Sequence, residues 1–197
     1  MQNKEIQEQR IKGYFIEATK EMLKGEGLKS ISVRNIAERA GYSYTTLYNY
    51  FKDLNELIFL CVKDFQNECE LFINENISKE PRGTDKIKAI TRAYINYFVQ
   101  YPGIFELFYI EKISNIGSKQ PTTELICTFL DRLCKEEWDF CITEKITTVE
   151  EADIQMKQLR FSVAGLLLLY LNRLQPADYK EFISLTTVQL NQILDKK

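Results

Sequence analysis

The chain has 197 residues, 45% hydrophobic, 27% charged and 12% aromatic, which fits a globular protein of one or two domains and excludes a disordered one. Twenty-six Lys and Arg against 28 Asp and Glu leave a net charge of −2, so no overall excess marks a polyanion binder. Histidine is absent, which excludes Ser-His-Asp and Cys-His nucleophiles, HExxH zinc sites and any imidazole general base.

The opening stretch, MQNKEIQEQRIKGYF, is charged and lacks the apolar core of a signal peptide. The longest apolar run, Val163 to Leu171, is about half a membrane span. A soluble cytoplasmic protein without membrane contact is therefore expected. Cys61, Cys69, Cys127, Cys134 and Cys141 contain no CxxC pair, so they are read as small buried apolar groups, the last three on one helical face. Neither a metal nor a cofactor is expected.

Apolar residues recur at steps of three and four, the period of amphipathic helices. Ile11, Tyr14, Phe15, Ala18 and Met22 make the first stripe, and Gly27 is expected to close that helix in a left-handed conformation. Ser32 stands as an N-cap before Val33, Ile36, Ala37 and Ala40. Gly41-Tyr42-Ser43 breaks the second helix after two turns, and Ser43 is placed to cap a third with an inward stripe of Leu47, Tyr48 and Phe51. Two short helices joined by a tight glycine-containing turn form a helix-turn-helix, whose second helix enters the DNA major groove. A plain helical hairpin shares the outline. Helix length, glycine placement and the polar groups of the third helix favour the DNA-binding unit.

Further helices follow, centred on Leu54 to Phe72, Ile87 to Tyr101, Ile126 to Cys141 and Tyr179 to Leu194. Pro81, Pro102, Pro121 and Pro176 punctuate them. Ser78 to Asp85 and Gly117 to Thr123 are the long polar connectors. Ile104 to Ile110 and Ala164 to Leu171 are apolar on nearly every side and need cover on both, with Gly165 permitting a close backbone approach. No alternating strand pattern with hairpin turns occurs. The expected class is all-α, with a helix-turn-helix head at 1–52 and a larger helical domain at 53–197. The head carries nine basic against six acidic residues, and the remainder seventeen against twenty-two. This asymmetry suits a head that meets a polyanion.

Residues 14–57, YFIEATKEMLKGEGLKSISVRNIAERAGYSYTTLYNYFKDLNEL, resemble the DNA-binding head of TetR/AcrR-type transcriptional regulators. The resemblance rests on Phe15, Glu17 and Ala18, on Ser32 to Ala37, on Ala40-Gly41, and on Thr46, Leu47, Tyr48 and Phe51. It implies that Ser32, Thr46, Tyr48 and Tyr50 contact phosphate, joined by the N-terminal amides of both helices. It places Arg34, Tyr44, Thr45 and Asn49 among base-edge readers. Arginine suits guanine, asparagine suits adenine, and threonine or tyrosine can meet a thymine methyl. Three positions depart from the family pattern: Tyr42 where valine is usual, Thr45 for a common glycine, and Leu54 where a lysine often contacts phosphate. Lys52 can supply that charge. Tyr42 must either fit the core or lean toward DNA.

The resemblance further implies that the larger domain binds a small molecule and that its last two helices build a homodimer reading a palindromic double-stranded operator. Tyr94, Phe98, Phe105, Phe129 and Phe161 are candidates to line a pocket of roughly 300–1,000 Å³ for an apolar or aromatic effector. They are equally the residues that fill a helical core. The expected function is a repressor released by its effector. Two alternatives stand beside it: a helix-turn-helix protein acting only through protein partners, and an enzyme using carboxylates such as Glu106 and Glu111. The second has no histidine, metal spacing or phosphate loop behind it.

Overall fold

Capping side chains and two glycines set the short elements of the N-terminal segment. The computed structural model describes residues 2–77, 79–110 and 120–195, with side chains at 4–77, 79–110 and 123–195. Helix α1 spans Gln2–Glu26. A 3-10 turn follows at Leu28–Ser30, then α2 at Val33–Ala40 and α3 at Tyr44–Tyr48. Ser32 caps α2 by accepting from Asn35 N at 3.1 Å. Gly41 ends it with φ +77° and ψ +27°. Gly41 N–H donates to Glu38 O while Tyr42 N–H donates to Ala37 O. This paired closure needs a left-handed residue, which glycine adopts without strain. Gly27 also has a positive φ, +74°, but its ψ of −178° is extended. The left-handed cap expected there is thus replaced by a glycine bend leading straight into the 3-10 turn, where Ser30 N–H donates to Gly27 O.

The later helices are α4 at Leu54–Asn76, α5 at Thr84–Gln100, α6 at Pro102–Phe105, α7 at Gln120–Cys127, α8 at Phe129–Thr143, α9 at Val149–Leu171 and α10 at Tyr179–Leu194. A π-helical turn, Glu106–Ile110, continues α6. The fold is all-α, with no strand among the described residues. Ser78, Glu111 and the connector positions 117–119 lie outside them. No helix among the described residues is long and apolar enough to cross a membrane.

Two compact units divide the chain by packing: Met1–Asn67 with Tyr101–Ile126, and Glu68–Gln100 with Cys127–Lys197. In the first, Phe15, Met22 and Leu23 of α1 are buried with Ile36, Ala37, Leu47, Phe51 and the α4 residues Leu57, Cys61 and Phe65. Phe15 meets Phe51 edge-on at 6.1 Å. Buried Gln66 donates Nε2 to Leu125 O at 2.9 Å. Buried Lys20 is held by Glu17 at 3.1 Å and Asp64 at 3.6 Å.

In the second unit, α5 packs on α8 and α9, and α9 on α10. Glu137, almost fully buried on α8, accepts from Gly83 N at 2.8 Å and faces Arg82 Nε at 3.3 Å, so the carboxylate enters the interior with its bonds satisfied. Thr148 and Glu151 form a reciprocal capping box that starts α9, and Asp178 caps α10. Tyr170 stacks on Phe182 at 4.1 Å, and Asp131 pairs with Arg160.

Four of the five cysteines are buried, as expected, but Cys127 is exposed. The shared face fails at its first member because α7 ends at Cys127 and α8 begins at Phe129, so the seven-residue spacing crosses a helix break. Burial pushes the Cys134 thiol up to about 12 and raises Cys61, Cys69 and Cys141 as well. Buried, protonated thiols react slowly. An aromatic disulfide reagent should therefore modify one thiol per native chain rapidly and five after unfolding. Two or more fast thiols in the native protein would contradict this packing.

Candidate nucleic-acid interface

The α2–α3 segment divides cleanly into a buried and an exposed side. Ile36, Ala37, Leu47 and Phe51 are buried. Arg34, Tyr44, Thr45, Tyr48 and Asn49 are exposed, while Ser32, Thr46 and Tyr50 are half-buried. Tyr44 and Tyr48 are 60% and 53% exposed. The sequence placed Tyr48 in the inward stripe. The structure turns it outward, because α3 is only five residues long and the chain leaves the helix before Phe51 returns to the core. Asn49 is the C-cap residue of α3 in right-handed helical conformation, so its amide lies at the end of the helix rather than along its middle.

Hydrogen bonds decide which polar groups stay available. Ser32 Oγ accepts the Asn35 N–H, which leaves its own proton to donate. Asn35 Nδ2 is spent on Ser30 O at 2.9 Å, tying the 3-10 turn to α2. Arg39 is held by Glu26 at 2.9 Å and Glu21 at 3.8 Å, whereas Arg34 makes no ion pair among the described residues. Of the two basic residues on this short helix, one is thus ion-paired and the other is not, a difference the sequence did not show. Lys52 is exposed; its backbone N–H donates to Glu56 Oε2 at 2.7 Å, and Asp53 Oδ1 accepts from Glu56 N at 2.9 Å. Two carboxylates therefore cap the backbone at the start of α4.

Tyr42 takes the first of its two expected courses. It is half-buried, 5.5 Å from the Phe15 ring and stacked with Tyr14 at 6.2 Å. It leans on α1. Tyr14, expected in the inward stripe, is 55% exposed because its ring covers Tyr42 and not the core. That pairing was invisible in helical spacing, since its partner comes from a turn.

Of the expected effector-lining residues, Tyr94, Phe98 and Phe129 are brought together in the second unit. Tyr94 lies 4.8 Å from Phe98 and 5.7 Å from Phe129, ring to ring, and all three are buried. Phe105 belongs to the first unit and packs on Tyr109 at 5.0 Å. Phe161 is 70% exposed on α9, so it does not join an interior wall in the single chain; it faces out from the same flank as Ile154 and Leu168. Glu106 is half-buried, and a Cβ on Gly27 would stand 3.2 Å from its Oε2. The described residues contain no group of three or more His, Cys, Asp or Glu placed to hold a metal ion.

Residues 15–60 match the family model of bacterial regulatory proteins, tetR family. No curated protein matches the chain. Among solved structures, a TetR family transcription regulator from Marinobacter aquaeolei VT8 shares the fold at 15% identity and TM-score 0.64, covering 100% of both chains. FadR from Bacillus subtilis, in complex with stearoyl-CoA, superposes with TM-score 0.70 at 14% identity, over 92% of this chain and 97% of FadR. RolR in complex with resorcinol gives 0.66 at 11%, over 97% and 96%.

Proposed function

We propose, for a chain that belongs through residues 15–60 to the tetR family of bacterial regulatory proteins, that it is a homodimeric DNA-binding transcription regulator, a repressor released from a palindromic operator by a small effector. The observation that carries this reading is the exposed polar side of α2–α3, standing over a buried face of Ile36, Ala37 and Leu47. Ser32, Thr46, Tyr48, Tyr50 and Lys52 hold phosphates, and Arg34, Tyr44, Thr45 and Asn49 meet base edges. The functional division is a DNA-binding head at 1–52 and an effector-binding and dimerisation domain at 53–197.

Selection from random duplexes followed by footprinting tests the reading. A symmetric enriched sequence whose binding weakens with salt supports it. Failure to enrich any duplex overturns it, and salt-insensitive capture of a protein would favour a partner-binding role instead.

The cluster of Tyr94, Phe98 and Phe129 is the proposed effector site, with an apolar or aromatic ligand parting rings that touch in the free protein. FadR is bound to stearoyl-CoA and RolR to resorcinol, so this fold accommodates ligands of very different size and does not choose one. Effector and operator then oppose each other with a coupling of about 1–3 kcal/mol.

Positioning and reading are separable at Lys52 and Asn49. Lys52→Ala should weaken operator and scrambled duplex alike, and flatten the salt dependence by roughly one counterion per subunit. Asn49→Ala should cost about 1–3 kcal/mol on the operator and much less on scrambled DNA. Equal losses on both duplexes for Asn49→Ala would remove it from the base readers.

A further inference from the structure

Helix α1 is longer than the core it serves. Near its C-terminus it abuts α6: a Cβ on Gly103 would stand 2.5 Å from Leu23 O, and Lys24 Nζ lies over the Tyr101 and Phe65 rings at 5.3 and 5.5 Å. Earlier in the helix, Tyr14 and Phe15 hold the Tyr42 ring at 6.2 and 5.5 Å, in the turn that leads to Ser43 and α3. Phe15 is the first buried residue among those described, and none of residues 4–14 is buried. Followed backwards, α1 therefore runs from α6 past the start of α3 and on for ~16 Å, at 1.5 Å per residue. The overhang has two unlike sides. At 3.6 residues per turn, Gln7, Arg10 and Tyr14 share one side, while Glu5, Glu8 and Lys12 lie on the other. Arg10 is exposed and makes no ion pair among the described residues. The next carboxylates along the Tyr14 side, Glu17 and Glu21, have cations of their own: Lys20 at 3.1 Å and Arg39 at 3.8 Å.

We propose that this side of α1 extends the DNA interface beyond the helix-turn-helix, with Arg10 taking a backbone phosphate outside the base pairs that α3 reads and Gln7 and Tyr14 donating beside it. The proposal deepens the reading of α2–α3 as the DNA-contacting unit and rests on it. Charge chooses the partner. A guanidinium fork matches two phosphate oxygens, the amide and the phenol can both donate, and no unpaired carboxylate on that side opposes a polyanion. The Tyr14–Tyr42 stack sets the aim, because it ties the overhang to the turn at the head of α3. Whatever duplex α3 enters then continues alongside α1, presenting a charge every ~1.7 Å of its axis. Phosphates carry no sequence, so the contact lengthens the site and strengthens it without adding base preference.

The experiment starts from the duplex that the wild-type protein enriches, flanked on both sides by unrelated sequence. Hydroxyl-radical footprints and affinities across a salt series are taken for wild type, Arg10→Gln and Lys12→Gln. Arg10→Gln should lose protection at the outermost sugars of each half-site and keep the central protection. Its affinity should fall about tenfold, and its salt dependence should flatten by roughly one counterion per subunit. Exchanging the flanking sequence should leave the wild-type affinity unchanged. Lys12→Gln removes the same charge from the other side of the helix and should keep the full footprint. Glutamine is nearly as good a helix former as arginine or lysine, and wild-type footprints on duplexes trimmed at the flanks test the same contact without any substitution: trimming should weaken binding. An unchanged outer footprint in Arg10→Gln, an equal loss in Lys12→Gln, or indifference of the wild type to trimming overturns the proposal while leaving the regulator reading intact. Failure of the wild type to enrich any duplex overturns both.

Discussion

A chain carrying Phe161→Glu and Leu168→Glu should have the mass of one chain at micromolar concentration, where the wild type has the mass of two. Ile154, Phe161 and Leu168 recur every seven residues along α9 at 55%, 70% and 43% exposure. The opposite side of the helix, Ala152, Leu159, Val163 and Leu167, is buried within the chain. Leu185 and Val188 are exposed apolar residues on α10. Single exposed hydrophobics are ordinary, but a stripe running about four turns calls for a cover. A two-fold axis repeats both substitutions in the partner, and each unpaired carboxylate in an apolar interface costs several kcal/mol. The dimer constant should therefore fall by several powers of ten. Operator affinity should fall with it, because unlinked heads lose the effective concentration that joins two half-sites. Sedimentation of both proteins over a concentration series measures this. A wild-type mass of one chain at micromolar concentration would end the homodimer proposal. Gly165 sharpens the test: a Cβ there meets nothing within 4 Å in the single chain. The close approach expected at Gly165 is thus not made inside the chain, and Gly165→Leu should spare folding while weakening association.

The helices were legible because their apolar spacing states the period, and the caps at Ser32 and Ser43 could be named from residue type alone. Where the reading slipped, tertiary partners decided the outcome. Tyr14 and Tyr48 have the right spacing for inward stripes, yet both are more than half exposed. Tyr14 answers to Tyr42 in a turn, and Tyr48 ends a helix shorter than its own apolar pattern. The run from Ile126 to Cys141 reads as one helix, but the chain interrupts it at Thr128. No proline or glycine announces that break. Phe161 shows the limit at the candidate effector site, since an aromatic on a helix reads the same whether it lines a pocket or an association surface. The contacts of Ser43 Oγ with Thr45 Oγ1 at 2.7 Å and Thr46 Oγ1 at 2.8 Å lay beyond sequence for another reason: which hydroxyls converge depends on rotamers, not on spacing.

Gly103→Ala should lower the melting temperature by about 4–8 °C, the effect of roughly 2 kcal/mol in a chain of this length. A Cβ on Gly103 would stand 2.5 Å from Leu23 O and 3.3 Å from Lys24 O. The obstacle is backbone, which cannot swing aside as a side chain does, so α6 or the end of α1 must move. That end is held in place: Lys24 Nζ lies over the Tyr101 and Phe65 rings at 5.3 and 5.5 Å, and Glu106 approaches the Gly27 bend that leads into α2. Displacing α6 therefore loosens contacts that run to the helix-turn-helix itself. Gly13→Ala is the matched control. It lies within α1, and a Cβ there meets nothing within 4 Å, so replacing a helical glycine should stabilise by about 0.5–1 kcal/mol. Thermal unfolding of the two variants should move in opposite directions from wild type. An unchanged melting temperature for Gly103→Ala would mean that α6 does not sit against the last carbonyls of α1.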